Sequence, residues 1–91
     1  MGIIREIFKN VDHVYVLLDG IKKGKLISEI YANHYSSTFY KIFKMLESGG
    51  FIVCHYEQKG RIRIKKCRLT EKGEKLLDVA RTLIELDRAL G

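Results

Sequence analysis

The sequence predicts a mainly helical α+β domain with a three-helix core, a β-hairpin and a long C-terminal helix. Three observations predict it. Apolar residues recur at helical spacing through the first 48 positions. Residues 51–68 then change to a period-two pattern broken by a glycine turn. Finally, Thr70 opens a leucine-rich run at helical spacing.

The elements follow in order. Ile3, Ile4, Ile7, Phe8 and Val11 mark a helix face, continued by Val14, Tyr15, Leu17 and Leu18. Asp12 is a candidate N-cap, so residues 1–20 read as one bent helix or two. Gly20 and Gly24 bracket a basic turn holding Lys22 and Lys23. A short helix is expected from Leu26 to about Asn33, with Leu26, Ile27 and Ile30 inward, followed by a polar turn at Asn33-His34-Tyr35. Ser36 or Ser37 caps the third helix, in which Phe39, Ile42, Phe43 and Leu46 share one face. Its opposite face carries Ser37, Lys41, Lys44 and Ser48, with Tyr40 on the flank. Gly49-Gly50 ends that helix.

Phe51–Tyr56 reads as a strand, Glu57–Gly60 as a turn, and Arg61 to Cys67 or Arg68 as the return strand. With Lys59-Gly60 as a two-residue loop, Arg63 falls opposite Tyr56, Lys65 opposite Cys54, Ile64 opposite His55 and Ile62 opposite Glu57. Arg61 and Arg63 then share the face away from Ile62 and Ile64. Thr70 caps the last helix, with Leu76, Leu77, Ala80, Leu83, Ile84 and Leu90 along it. Val79 and Leu86 widen its apolar face beyond one stripe, which suggests contact with a second copy of the chain.

The chain has 91 residues, one domain's worth, and a formal net charge of +6. Lys59–Arg68 holds six basic residues and no acid, while the remainder balances. Its Arg-Ile-Arg-Ile core suggests a strand with one apolar and one cationic face, a surface suited to a polyanion. No apolar run approaches the roughly 18 residues of a membrane span, and the first residues mix charge too early for a secretory signal. A cytoplasmic, nucleoid-associated protein without membrane contact is expected. Cys54 and Cys67 are expected as reduced thiols in or near the core. A bridge between them is feasible if the hairpin sets them directly or diagonally opposite. No paired Cys or His spacing suggests a metal site, and no nucleophile–base set or phosphate-binding loop suggests an enzyme. No cofactor is expected.

Three segments in sequence carry a family resemblance. They are Ile27-Ser-Glu-Ile30, Tyr35 to Ile52 ending in Leu-Glu-Ser-Gly-Gly-Phe-Ile, and Arg68-Leu-Thr-Glu-Lys-Gly73. Over residues 11–90 the chain resembles MarR-type and related small winged helix-turn-helix regulators. The resemblance implies a helix-turn-helix at 26–48, a wing at 51–68 and a dimerisation helix at 70–90. It also implies a homodimeric, sequence-specific regulator of transcription, most often a repressor, acting on double-stranded DNA. The short chain leaves little material for a ligand cleft, which argues against a small-molecule effector.

On this reading Ser36, Ser37, Tyr40, Lys41 and Lys44 face the major groove. Lys59, Arg61, Arg63 and Lys65 of the wing grip the backbone or minor groove. Ile4, Ile7, Phe8, Leu76, Leu83, Leu86 and Leu90 form the dimer interface. The plain alternatives are a solvated helix face and an edge strand guarded by charge. The third helix is poor in Arg, Asn and Gln, the usual base readers. A sequence-tolerant, chromatin-type DNA binder and a protein-interaction winged helix are therefore the competing functions.

Overall fold

The structure, a computed structural model, describes residues 3–34 and 36–91; the side chains of Ile3, Ile4, Glu6, Asn33 and His34 lie outside the described set. Seven elements follow: α1 (Ile3–Lys9), α2 (Val11–Lys22), α3 (Ile27–His34), α4 (Ser37–Ser48), β1 (Ile52–Lys59), β2 (Ile62–Leu69) and α5 (Glu71–Leu90). The protein is thus α+β and mainly helical, with an antiparallel two-stranded hairpin before its C-terminal helix.

The N-terminal segment is two helices, which break at Asn10. Asp12, expected to cap the second, instead lies in its first turn, where a carboxylate favours the helix dipole. Gly20, expected to begin a turn, is a buried residue of α2. A Cβ there would collide with the side chain of Ile30, so the glycine lets α3 approach α2 closely. The turn comes later, at Gly24, whose φ of 85° suits glycine. Asn33 and His34 belong to α3 rather than to a turn, and Tyr35 lies outside the described residues.

The core gathers one face from each long helix. Val14, Leu17 and Leu18 of α2 meet Phe39, Ile42 and Leu46 of α4 and Leu77 of α5, all essentially without solvent contact. Tyr31 and Phe39 meet edge to face, with ring centroids 5.7 Å apart, adding quadrupole attraction to burial. Ser36 caps α4, its Oγ accepting from the Phe39 N–H at 3.1 Å. Gly50, with φ 80°, turns the chain out of that helix.

Thr70 ties the base of the hairpin to α5. Its Oγ1 accepts from the Gly73 N–H at 3.1 Å and donates to the Gly50 carbonyl at 2.7 Å. Its own N–H donates to the Phe51 carbonyl at 3.1 Å. Gly73 packs so tightly on that carbonyl that any Cβ would overlap it. These contacts fix where the hairpin leaves the core.

The hairpin differs from expectation in register. Its two-residue loop is Gly60-Arg61, not Lys59-Gly60, and Glu57–Lys59 belong to β1. Gly60 has φ 61° and no described non-glycine residue has positive φ, matching a type II′ turn with glycine first. Placing glycine at that position displaces every partner by two. Tyr56 pairs with Lys65, Gln58 with Arg63, Glu57 with Ile64 and Cys54 with Cys67.

The cysteines are accordingly bridged, contrary to the expected free thiols, with Cα atoms 4.0 Å apart. Direct opposition on one face brings them into bonding range. A displacement of two keeps side chains on their expected faces, so Arg63 and Ile64 still point oppositely. Burial, however, does not follow that alternation. The face bearing Arg63 and Lys65 continues inward through Cys67 and Leu69 to the core, whereas Ile62 on the other face is 66% exposed. The hairpin extends past the helices, so alternation near its tip does not mark a buried side.

Candidate nucleic-acid interface

The outer face of α4 carries Ser37, Tyr40, Lys41, Lys44 and Ser48, all exposed. Burial of Phe39, Ile42, Phe43 and Leu46 on the opposite face forces this arrangement. Tyr40 is 52% exposed, and the Lys44 ammonium lies 5.9 Å from its ring centroid. Ser36 is committed to its cap, whereas Ser37 stands at the first helical position, near N–H groups that favour an anion.

Lys65 joins this helix to the hairpin. Its Nζ lies 4.8 Å from the ring centroid of Phe43 on α4 and 5.9 Å from that of Tyr56 on β1. It also reaches Glu47 of α4 at 3.7 Å. Glu47 in turn lies 3.9 Å from Lys44. Beyond Tyr56, the Arg63 guanidinium stacks over the same ring at 4.3 Å. One continuous strip therefore runs Tyr40, Lys44, Lys65, Tyr56, Arg63, with a cation near each exposed ring.

Arg61 sits in the loop beyond this strip. Lys59 pairs with Ile62, and alternation places it on the opposite face with His55, Glu57, Ile64, Lys66 and Arg68. There Glu57 accepts from His55 Nε2 at 3.1 Å and lies 3.2 Å from Lys66 Nζ. The His55 hydrogen bond, then Lys66, holds the Glu57 carboxyl below its usual range. The cationic decapeptide is thus divided between two faces, and only one of them adjoins α4.

Of the residues singled out from sequence, Tyr40, Lys44, Arg63 and Lys65 come together. Arg61 lies at the tip, Ser37 and Lys41 on the outer face of α4, and Lys59 on the far side of the hairpin. Sequence reasoning missed Tyr56, which is 55% exposed and central to the strip. Its signal was an aromatic two residues beyond Cys54, facing a basic strand. Reasoning from charge alone also missed Glu47 and Glu57, which partly neutralise Lys65 and Lys66.

A second exposed surface lies along the outside of α5. Val79, Leu83, Leu86 and Leu90 recur at i, i+4, i+7 and i+11, and Phe8 of α1 lines a groove with Leu83 and Ile84. Ile7 is buried within the chain's own core, and Leu76 packs partly against it. The side chain of Ile4 lies outside the described residues.

Among the described residues, no three His, Cys, Asp or Glu side chains converge as metal ligands, and no helix is long and apolar enough to cross a membrane. A shallow groove between α3 and β2 is lined by Leu26, Ile27, Tyr31, Ile62 and Ile64, together with Arg63 and Lys65. In comparisons with known proteins, no family model and no curated protein matches the chain.

Proposed function

We propose that the protein is a winged helix-turn-helix DNA-binding regulator. On this reading α3 and α4 form the helix-turn-helix, α4 enters the major groove, and the β1–β2 hairpin is the wing. One observation carries the proposal: Lys65 ties the cationic face of the hairpin to the flank of α4, at Phe43 and Glu47, and Glu47 in turn lies 3.9 Å from Lys44 on the exposed face. A duplex lying against α4 would meet Lys44, Lys65, Arg63 and Arg61 in succession. Ser37, Tyr40, Lys41 and Lys44 supply contacts in the groove, and the hairpin supplies backbone contacts. Regulation of transcription, as repressor, follows from the family resemblance.

The test is duplex affinity as a function of salt. Wild-type protein should bind with log K falling linearly in log salt. Replacing Arg61 and Arg63 together by Ala should flatten that slope by about one per lost phosphate contact. An unchanged slope would remove the hairpin from the interface. Competition with random DNA separates regulator from architectural binder. The exposed face of α4 lacks Arg, Asn and Gln, which favours the architectural reading as runner-up. A preference below about tenfold for any selected site would sink the regulator, since regulators typically reach about 10³ or more.

A further inference from the structure

The hairpin cations are held in different ways. Lys66 and Lys65 each lie beside a carboxylate, that of Glu57 at 3.2 Å and that of Glu47 at 3.7 Å. Both are ordered at the expense of part of their field. Lys59, Arg61 and Arg68 form no ion pair or ring contact among the described residues, so they keep their charge but are not anchored. Arg63 combines the two advantages. Its guanidinium lies 4.3 Å from the Tyr56 ring centroid, and among the described residues no carboxylate pairs with it. Stacking uses only the flat face of the guanidinium and leaves its five in-plane N–H donors available.

Tyr56 is itself well fixed. It stands on β1 directly opposite Lys65, two pairs outward from the Cys54–Cys67 bridge and on the same face. On the other side of Arg63, Gln58 donates from Nε2 to the Gly60 carbonyl at 2.9 Å, which steadies the tip. A side chain already held in its extended form loses little freedom when it meets a ligand. A guanidinium with its fork exposed suits the paired oxygens of a backbone phosphate.

We infer that Tyr56 is a positioning residue that presets Arg63 for a DNA backbone phosphate, making Arg63 the strongest single contact of the hairpin. The inference rests on the DNA-binding reading and adds to it a residue that acts through another without altering the net charge.

A double-mutant cycle on the disulfide-bonded protein tests it, with duplex DNA as the probe. Tyr56→Leu should weaken binding by about two- to fivefold, the magnitude of one exposed cation–π contact. Tyr56→Phe keeps the ring and should bind as wild type. Arg63→Ala should cost more than either Lys59→Ala or Arg61→Ala and reduce the salt slope by about one. In the Arg63→Ala background, Tyr56→Leu should cost clearly less than in the wild type, the remainder being the longer contact of the ring with Lys65 at 5.9 Å. Additive losses would overturn the inference, because Tyr56 would then act independently of Arg63. A loss in Tyr56→Phe would also overturn it, pointing to the hydroxyl.

A second measurement does not involve DNA. The Arg63 δ-methylene protons should show a ring-current shift in wild type and Tyr56→Phe, and lose it in Tyr56→Leu. No shift in the wild type would likewise overturn the inference. If the wild type has no duplex affinity, the DNA reading and this inference fall together. If Arg61→Ala weakens binding while the Tyr56 and Arg63 variants match wild type, only the inference falls.

Discussion

Glu57 receives a hydrogen bond from the His55 imidazole and lies beside the Lys66 ammonium, all on the hairpin face away from α4. Both neighbours favour the charged carboxylate, so its pKa is lowered, chiefly by His55 and then by Lys66. A folded pKa below the unfolded one stabilises the protein above the unfolded value. That contribution is lost as pH falls through the folded value. All three side chains are substantially exposed, so solvent screens the interaction and the effect on global stability is small. The local titration is the better observable. Followed by carboxyl carbon NMR, Glu57 should titrate below an ordinary glutamate. Lys66→Ala and His55→Ala should each move the midpoint partway back. Equal midpoints in all three proteins would mean that the contacts do not persist in solution. The same carboxylate withdraws one positive charge from the far face, as Glu47 does from the strip beside α4.

At the scale of elements, the hairpin depends on a covalent tie. Its strands form only a two-stranded sheet, an arrangement marginal in water unless it packs on something else. Ile52 and Leu69 pack at the base, and the Cys54–Cys67 bridge lies just beyond them, leaving the outer half with little core contact. The bridge joins residues separated by 13 positions. For a loop near that size the chain-entropy account gives about 3 kcal/mol. Reduction, or Cys54→Ser with Cys67→Ser, should therefore lower the melting temperature. Amide exchange should accelerate most from residue 54 to residue 67, while α2 and α4 stay protected. Uniform acceleration through the helices would mean that the bridge supports the whole domain. The helices were legible in the sequence because each follows one strong periodic rule, as with Phe39, Ile42, Phe43 and Leu46 or the Thr70 cap. The hairpin was legible in kind and in facing but not in register. Choosing between Lys59-Gly60 and Gly60-Arg61 turns on Lys59, which would need positive φ in a type I′ loop but not when Gly60 comes first in a type II′ loop, and both loops fit the same alternation. The disulfide was legible only as an option, because the expected register puts Cys67 diagonal to Cys54, whereas the hairpin sets the two directly opposite. Tyr56 was visible as an aromatic on a strand, but its role depends on which cation shares its face and how far the hairpin extends past the core.

For the molecule as a whole, shape and leftover apolar surface point the same way. The chain spans 50 × 25 × 23 Å, and α5, with 20 residues, is itself about 30 Å long. Leu77 and Ala80 bury the first half of α5 against the core, while Leu86 and Leu90 near its end are 50% and 85% exposed. Val79, Leu83, Leu86 and Leu90 form one stripe at the spacing of a two-helix seam, and Phe8, 56% exposed, flanks it. A small domain with a modest core gains much by covering such a stripe. The proposed occupant is a second copy related by a two-fold axis, each α5 packing on the other. Sedimentation of the wild type should then give twice the monomer mass of 10.6 kDa. Leu86→Glu with Phe8→Glu should give the monomer, with the helical signal of α2 and α4 retained. If DNA binding uses two half-sites, the monomeric variant should lose affinity for a two-site duplex by at least about tenfold while keeping its affinity for a single half-site. A wild type that sediments as a monomer at micromolar concentration, both alone and on a two-site duplex, would leave the stripe without this partner. The DNA reading would then reduce to one helix and one hairpin per site, where a face poor in base-reading residues favours the sequence-tolerant alternative.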